Sequence, residues 1–196
     1  MERYLAPSAW IDFEHPQVRA QAAALAGAGT EDTARRCFEF VRDEIRHSWD
    51  HWQHRPQDPV TCRASDVLAH RTGYCYAKSH LLAALLRANG IPAGLCYQRL
   101  AVGTAGPPFC LHGLNAVWLP DHGWYRIDAR GNKEGVDARF MPPVERLAFP
   151  VLAREERDLP EIWAEPLDVI VAALTGNATV EDVAANLPDI ALLPGR

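Results

Sequence analysis

An α+β fold is predicted by two observations. From Pro16 to Asn89 apolar residues recur at helical spacing, and from Ala93 to Asp128 they recur at period two. Helices first and sheet second exclude the alternating order of a doubly wound α/β fold. One domain is expected over residues 1–196, with a core over about 30–140 and an extension over 141–196. A chain of this length can bury roughly 70% of the surface it exposes when unfolded.

Each element has its own signal. Pro16 to Ala26 is alanine-rich, and after Gly27-Ala28-Gly29 a second helix opens at Thr30 with Glu31 and Asp32 in its first turn. Ala34, Cys37, Phe38, Val41 and Ile45 form its buried stripe. Ser48 to Pro59 is polar and rich in Trp and His, and reads as a loop. A short helix from Ala64 to His70 follows, ended at Gly73. Cys75 to Asn89 carries Leu81, Leu82, Leu85 and Leu86, then Gly90 for a left-handed cap and Pro92 beyond it.

Ala93 to Leu100, Leu111 to Leu119 and Gly123 to Asp128 read as antiparallel strands, the last two joined by a turn at Pro120-Asp121-His122. The stretch from Gly103 to Pro108 is a loop. Past Pro142 the chain is punctuated by prolines, with helices expected at Pro166 to Thr175, closed by Gly176, and at Val180 to Asn186, capped by Thr179.

Composition narrows the function classes. A formal charge of −5 with no basic cluster disfavours a nucleic-acid partner. The longest apolar run, Leu81 to Leu86, is far below a membrane span, and the first residues lack the apolar core of a signal peptide, so a cytoplasmic protein with no membrane partner is expected. Five cysteines, odd in number and without a C-x-x-C pair, argue against a disulfide framework or a zinc knuckle. No cofactor or metal is called for. His47, His51 and His54 have spacings that could suit a metal, but they sit in the Trp-rich loop with no matching carboxylates, and read as a polar or cleft-lining surface.

Three residues carry chemistry together. Cys75 opens the strongest helix, so its sulfur is expected at the positive end of the helix dipole, a position that favours thiolate over thiol. His112 begins the second strand and Asp128 ends the third. A three-residue turn pairs Leu119 with Gly123, and in that register His112 and Asp128 are diagonal neighbours on one face. The carboxylate can then orient the imidazole toward the thiol. Asp128 could equally cap the turn that follows it. Cys37, Cys62, Cys96 and Cys110 read as small buried hydrophobes. Trp49, Trp52, Tyr74 and Tyr76 could line a groove or simply pack. The backbone N–H of Cys75 is the expected first oxyanion donor, with Gln53, Trp49, Trp52 and Asn115 open as the second.

The run Thr72-Gly73-Tyr74-Cys75 through Arg87-Ala88-Asn89-Gly90-Ile91-Pro92-Ala93 resembles the nucleophile helix of the transglutaminase-like superfamily, where G-x-C and L-R-x-x-G-I-P recur. His112 and Gly123-Trp124-Tyr125-Arg126-Ile127-Asp128 resemble its histidine strand and G-W-x-x-x-D segment, and the likeness covers about Ala34 to Asp128. The resemblance implies a papain-like α+β fold, a Cys75-His112-Asp128 triad and acyl transfer through a thioester, on a peptide, protein or small-molecule amide or acyl substrate. The histidine strand departs from the frequent H-x-W-x-E, reading His112-Gly113-Leu114-Asn115-Ala116. Arylamine acetyltransferases share this triad type, but their R-G-G-x-C is here Arg71-Thr72-Gly73-Tyr74-Cys75. The alternative is a non-catalytic module that keeps the fold and uses its groove to bind a peptide or partner.

Overall fold

The computed structural model describes residues 1–103 and 106–190. Part of the expected Gly103–Pro108 loop, and the last six residues of the expected extension, lie outside the described residues. The helical half consists of α1 (Pro16–Leu25), α2 (Thr30–Glu44), α3 (Ser48–His51), α4 (Ala64–His70) and α5 (Cys75–Ala88). Pro16 starts α1, where its missing N–H costs nothing. The expected stripe of α2 is realised, with Ala34, Cys37, Phe38 and Val41 fully buried and Ile45 just past the helix end.

Two local expectations are corrected. The Ser48–Pro59 stretch opens with the single-turn helix α3, because Asp50 is held from afar by Arg130 and Lys133. The left-handed residue that ends α4 is Arg71, at φ 54°, rather than Gly73. Its N–H reaches back to Val67 O at 2.8 Å, satisfying a carbonyl the helix end would otherwise leave open. Gly73 lies instead in β2 (Thr72–Gly73), which pairs in parallel with β1 (Arg46–His47). That two-residue ladder ties the end of α2 to the start of α5.

The sheet follows as β3 (Ala93–Ala101), β4 (Phe109–Leu119), β5 (Gly123–Ile127) and the short β6 (Arg157–Asp158), in the antiparallel order β5-β4-β3-β6. Leu119 pairs with Gly123, the expected register, and Gly123 takes the positive φ of 73° that the turn requires. Beyond the sheet, α6 (Asp168–Thr175) and α7 (Val180–Ala185) form, the latter with a reciprocal capping box between Thr179 and Asp182.

Every residue of α5 from Cys75 to Arg87 is buried. A helix covered on all sides needs no amphipathic pattern, and α5 is enclosed by α1, α2 and α4 and by β3 and β4. Alternation along β4 separates two cores. Leu111, Val117 and Leu119 join the main core around α5, whereas Leu114 and Ala116 pack with Cys96 in a second cluster, flanked by Leu147 and Ile162. The second cluster puts residues of 141–196 against the sheet face that carries His112.

Candidate active site

Cys75 is the first residue of α5, and Tyr74 is its N-cap in extended backbone. No acidic residue stands in the first turn, so the positive end of the helix dipole is not neutralised locally. The Cys75 sulfur accepts the backbone N–H of Gly113 at 3.4 Å. This approach favours glycine: a Cβ at residue 113 would lie 3.1 Å from the Tyr76 Cα and 3.0 Å from its ring, so Tyr76 would have to shift. The strand thus rides directly over the helix start, and Tyr76 holds it there through a short hydrogen bond from its hydroxyl to Leu111 O.

His112 Nε2 donates to Asp128 Oδ2 at 2.8 Å. The same oxygen accepts the Ala148 N–H at 3.0 Å, and Oδ1 accepts the Arg130 N–H at 3.1 Å. Asp128 therefore caps its turn and holds the imidazole at once. It sits one residue past β5, fully buried. Burial alone would push its pKa up, but His112 and the two backbone donors more than offset this and hold it below the usual carboxylate value. For His112 the balance runs the other way: burial would lower the imidazole pKa, yet the Asp128 charge and the Cys75 sulfur raise it to about 10. Sulfur, imidazole and carboxylate are thereby brought together, with Cys75 7%, His112 5% and Asp128 0% exposed.

Other residues singled out in the sequence separate. His47 is buried and its ring meets Tyr74 edge-on, whereas His51 and His54 are exposed, so the three do not converge. Among the described residues no three His, Cys, Asp or Glu side chains are grouped so as to hold a metal ion. Asn115 is not available as an oxyanion donor, because its amide hydrogens go to Ser79 O and Gly94 O and pin α5 to β3 and β4. Gln53 is exposed, and Trp49 and Trp52 stack on each other at 5.4 Å. Tyr74 and Tyr76 are buried packing residues whose hydroxyls bond Val180 O and Leu111 O. Burial pushes the thiols of Cys37, Cys62 and Cys96 up to about 12, as suits unreactive core sulfurs. Cys110, expected to be buried as well, is only half-buried at the strand edge, and its pKa is raised to about 12 by burial and then by nearby Cys75. Leu114 and Ala116, where the frequent pattern has Trp and Glu, are fully buried in the second cluster.

Several supports had no signal in the sequence. Lys78 is buried beneath the site and donates to Arg130 O at 2.7 Å, to Ile45 O and to Arg42 O, joining the turn after Asp128 to the end of α2. Burial, and then the Arg130 charge, lowers its pKa to about 7. Arg130 forms a forked pair with Asp50, and Phe149 packs edge-on against the His112 ring at 4.9 Å. A lysine in a helix, a lone phenylalanine and backbone N–H groups have no pattern to be read from a sequence.

A buried helix opening on Cys75 and packed against an antiparallel sheet, with His112 and Asp128 at the junction, fits a papain-like α+β protein. The chain belongs to the transglutaminase-like superfamily, whose family model matches residues 18–129. That superfamily generally includes cysteine-dependent acyltransferases and peptidases. Among solved structures, the chain is similar to a "Putative Cysteine Protease from Cytophaga hutchinsonii" (20% identity, TM-score 0.49, 65% of this chain and 40% of that one). It is also similar to the periplasmic domain of TgpA from Pseudomonas aeruginosa bound to ethylmercury (23% identity, TM-score 0.48, 65% and 46%). The chain thus spans under half the length of either. No curated protein matches it. No helix among the described residues is long and apolar enough to cross a membrane.

Proposed function

We propose that the protein is a cysteine-dependent acyl-transfer enzyme acting on an amide or peptide bond, with Cys75 as nucleophile, His112 as proton carrier and Asp128 as its orienting partner. The observation that carries this reading is the position of His112, bonded at 2.8 Å to a buried carboxylate and adjacent in the strand to Gly113, whose N–H meets the Cys75 sulfur at 3.4 Å. The thiolate attacks the carbonyl carbon and a C–S bond forms. The C–N bond then breaks, and the leaving amine takes the proton from the His112 imidazolium, which leaves a thioester. Water or a second amine attacks that thioester as His112 accepts its proton, and the thiolate is released.

The N–H of Cys75 belongs to the first turn of α5, where no intrahelical carbonyl can reach it, and it is suited to the oxyanion of each tetrahedral intermediate. The test is intact-mass detection of an acyl adduct after exposure to a panel of acyl, peptide and amide compounds. The adduct is expected on the parent and absent from Cys75→Ala; an adduct of the same mass on Cys75→Ala would overturn the assignment. The resolving nucleophile follows from adding a primary amine, which diverts the product from acid to amide if the second step is amine transfer.

A further inference from the structure

The edge of β4 beside Cys75 is already in use. β5 pairs with β4 only from Asn115 onward, so among the described residues the edge from Phe109 to Leu114 has no neighbouring strand on that side. The N–H of Gly113 on this edge reaches the Cys75 sulfur. Two residues back, about 7 Å along the strand, the next N–H pointing the same way belongs to Leu111, and it donates to Pro188 O at 2.7 Å. Pro188 lies in the segment Leu187–Ile190. Its Asp189 carboxylate is gripped by both arms of Arg99, at 2.7 and 2.6 Å, and the Arg99 guanidinium in turn lies 4.1 Å over the Phe109 ring. Leu187 and Ile190 pack against the main core on either side. A segment of this chain therefore rests on the strand edge near Cys75, bonded through one carbonyl and one carboxylate.

Resting on the reading of Cys75 as the nucleophile, we infer that the Leu111 N–H and the Arg99 guanidinium form a subsite for an extended peptide acyl donor bearing a carboxylate, and that Leu187–Ile190 occupies this subsite in cis as a built-in competitor. The main-chain bond is indifferent to side chain and sets the strand-like path of the donor. The planar Arg99 fork, held flat by Phe109, selects a carboxylate one residue beyond the bonded carbonyl. The Leu111 carbonyl beside that N–H is held by the buried Tyr76 hydroxyl, so an acyl donor seated on the Leu111 N–H reaches the sulfur past Tyr76, and it can seat there only after Pro188 and Asp189 have left.

The experiment uses the full chain with Asp189→Ala, the double variant Arg99→Ala/Asp189→Ala and the charge exchange Arg99→Asp/Asp189→Arg. Release of the segment is read by hydrogen exchange at the Leu111 amide, and access to the sulfur by the rate of Cys75 labelling with iodoacetamide at pH 7. Asp189→Ala is expected to speed both, labelling by at least about fivefold for loss of a bidentate charge-assisted contact. The charge exchange is expected to bring both back toward the parent. The acetylated, amidated peptide Leu-Pro-Asp-Ile should slow labelling of Asp189→Ala and leave the double variant unaffected. Unchanged exchange at Leu111, or faster exchange with labelling within about twofold of the parent, overturns the proposal. A Cys75 that labels in every variant no faster than an ordinary thiol speaks instead against the nucleophile reading, and the exchange and its reversal by the charge exchange still decide whether the segment docks through Arg99.

Discussion

The first turn of α5 and its leucine stretch, Leu81–Leu86, are equally buried but are held by opposite chemistry. Leu81, Leu82, Leu85 and Leu86 have no exposed surface and pack between helices and sheet by apolar contact alone. At the other end Cys75, Tyr76 and Lys78 are buried with their polar atoms answered by main-chain groups of Gly113, Leu111, Ile45 and Arg130, all from other elements. Apolar contact is non-directional and tolerates a change of shape that keeps volume. A buried polar group tolerates no loss of its partner, because the survivor is left unsatisfied. The leucine end should therefore govern stability and the cysteine end geometry.

The sharpest way to break this contrast is to exchange the two outcomes. Cys75→Ala is expected to lower turnover by about 10³-fold or more with little change in Tm, His112→Ala to lower it as far and to cost stability as well because the buried Asp128 carboxylate loses its partner, and Asp128→Asn to lower it by up to about 10⁴-fold through the wrong imidazole tautomer. Leu85→Ala should instead cost about 2–5 kcal/mol in urea unfolding, with kcat largely retained in the molecules that stay folded. A Leu85→Ala variant that is stable but inactive would erase the distinction between the two ends.

Lys78→Met tests the polar end without touching the reacting atoms. It leaves the carbonyls of Ile45 and Arg130 buried and unanswered, at about 1–3 kcal/mol each, and it frees the turn that follows Asp128. Stability and turnover should fall together, whereas a variant as stable as the parent would show that the two carbonyls find other donors.

The pH dependence follows from the His112–Asp128 pair. The His112 pKa is raised in the folded protein to about 10 from an ordinary 6.5, so its stabilising contribution is complete below about pH 6.5 and is lost as pH rises through 10. The Asp128 pKa is lowered, so its contribution is present above the ordinary carboxylate pKa and is lost as pH falls. Unfolding free energy measured at pH 7 and pH 10 should therefore drop more for the parent than for His112→Ala. Equal drops would show that the imidazole carries no proton across that window. The smallest effect is expected from Gly113→Ala, at about 1–3 kcal/mol, because Tyr76 has to give way to the new methyl group. Turnover in that variant should fall further than stability alone accounts for, since the N–H that meets the sulfur moves with the strand.

Much of this arrangement was legible in the residues. The α5 span needed only a run of good helix formers with Gly90 and Pro92 beyond it. The hairpin register needed only a three-residue turn, and from that register the neighbourhood of His112 and Asp128 followed. Departures came where a local signal was overruled from a distance. Ser48–His51 became helical under the hold of Arg130 and Lys133 on Asp50, and Asn115, a candidate oxyanion donor, was claimed by Ser79 and Gly94. The pairs β1–β2 and β3–β6 are too short for any periodicity to show.

By itself the sequence determined what depends on period and on turn chemistry: the α+β order, the helix that opens on Cys75, the strand register with the neighbourhood of His112 and Asp128, and the family it resembles. Only the tertiary structure decided what depends on groups that every residue carries or that lie far apart in the chain. The N–H groups of Gly113, Ala148 and Leu111 are invisible in a sequence because all residues but proline have one. The placement of Phe149 on His112 and of Asp189 on Arg99 is a contact over 37 and 90 positions, set by how the segment after residue 141 packs on the sheet. No local rule encodes such contacts, since their geometry exists only once the core has brought the strands and α5 together.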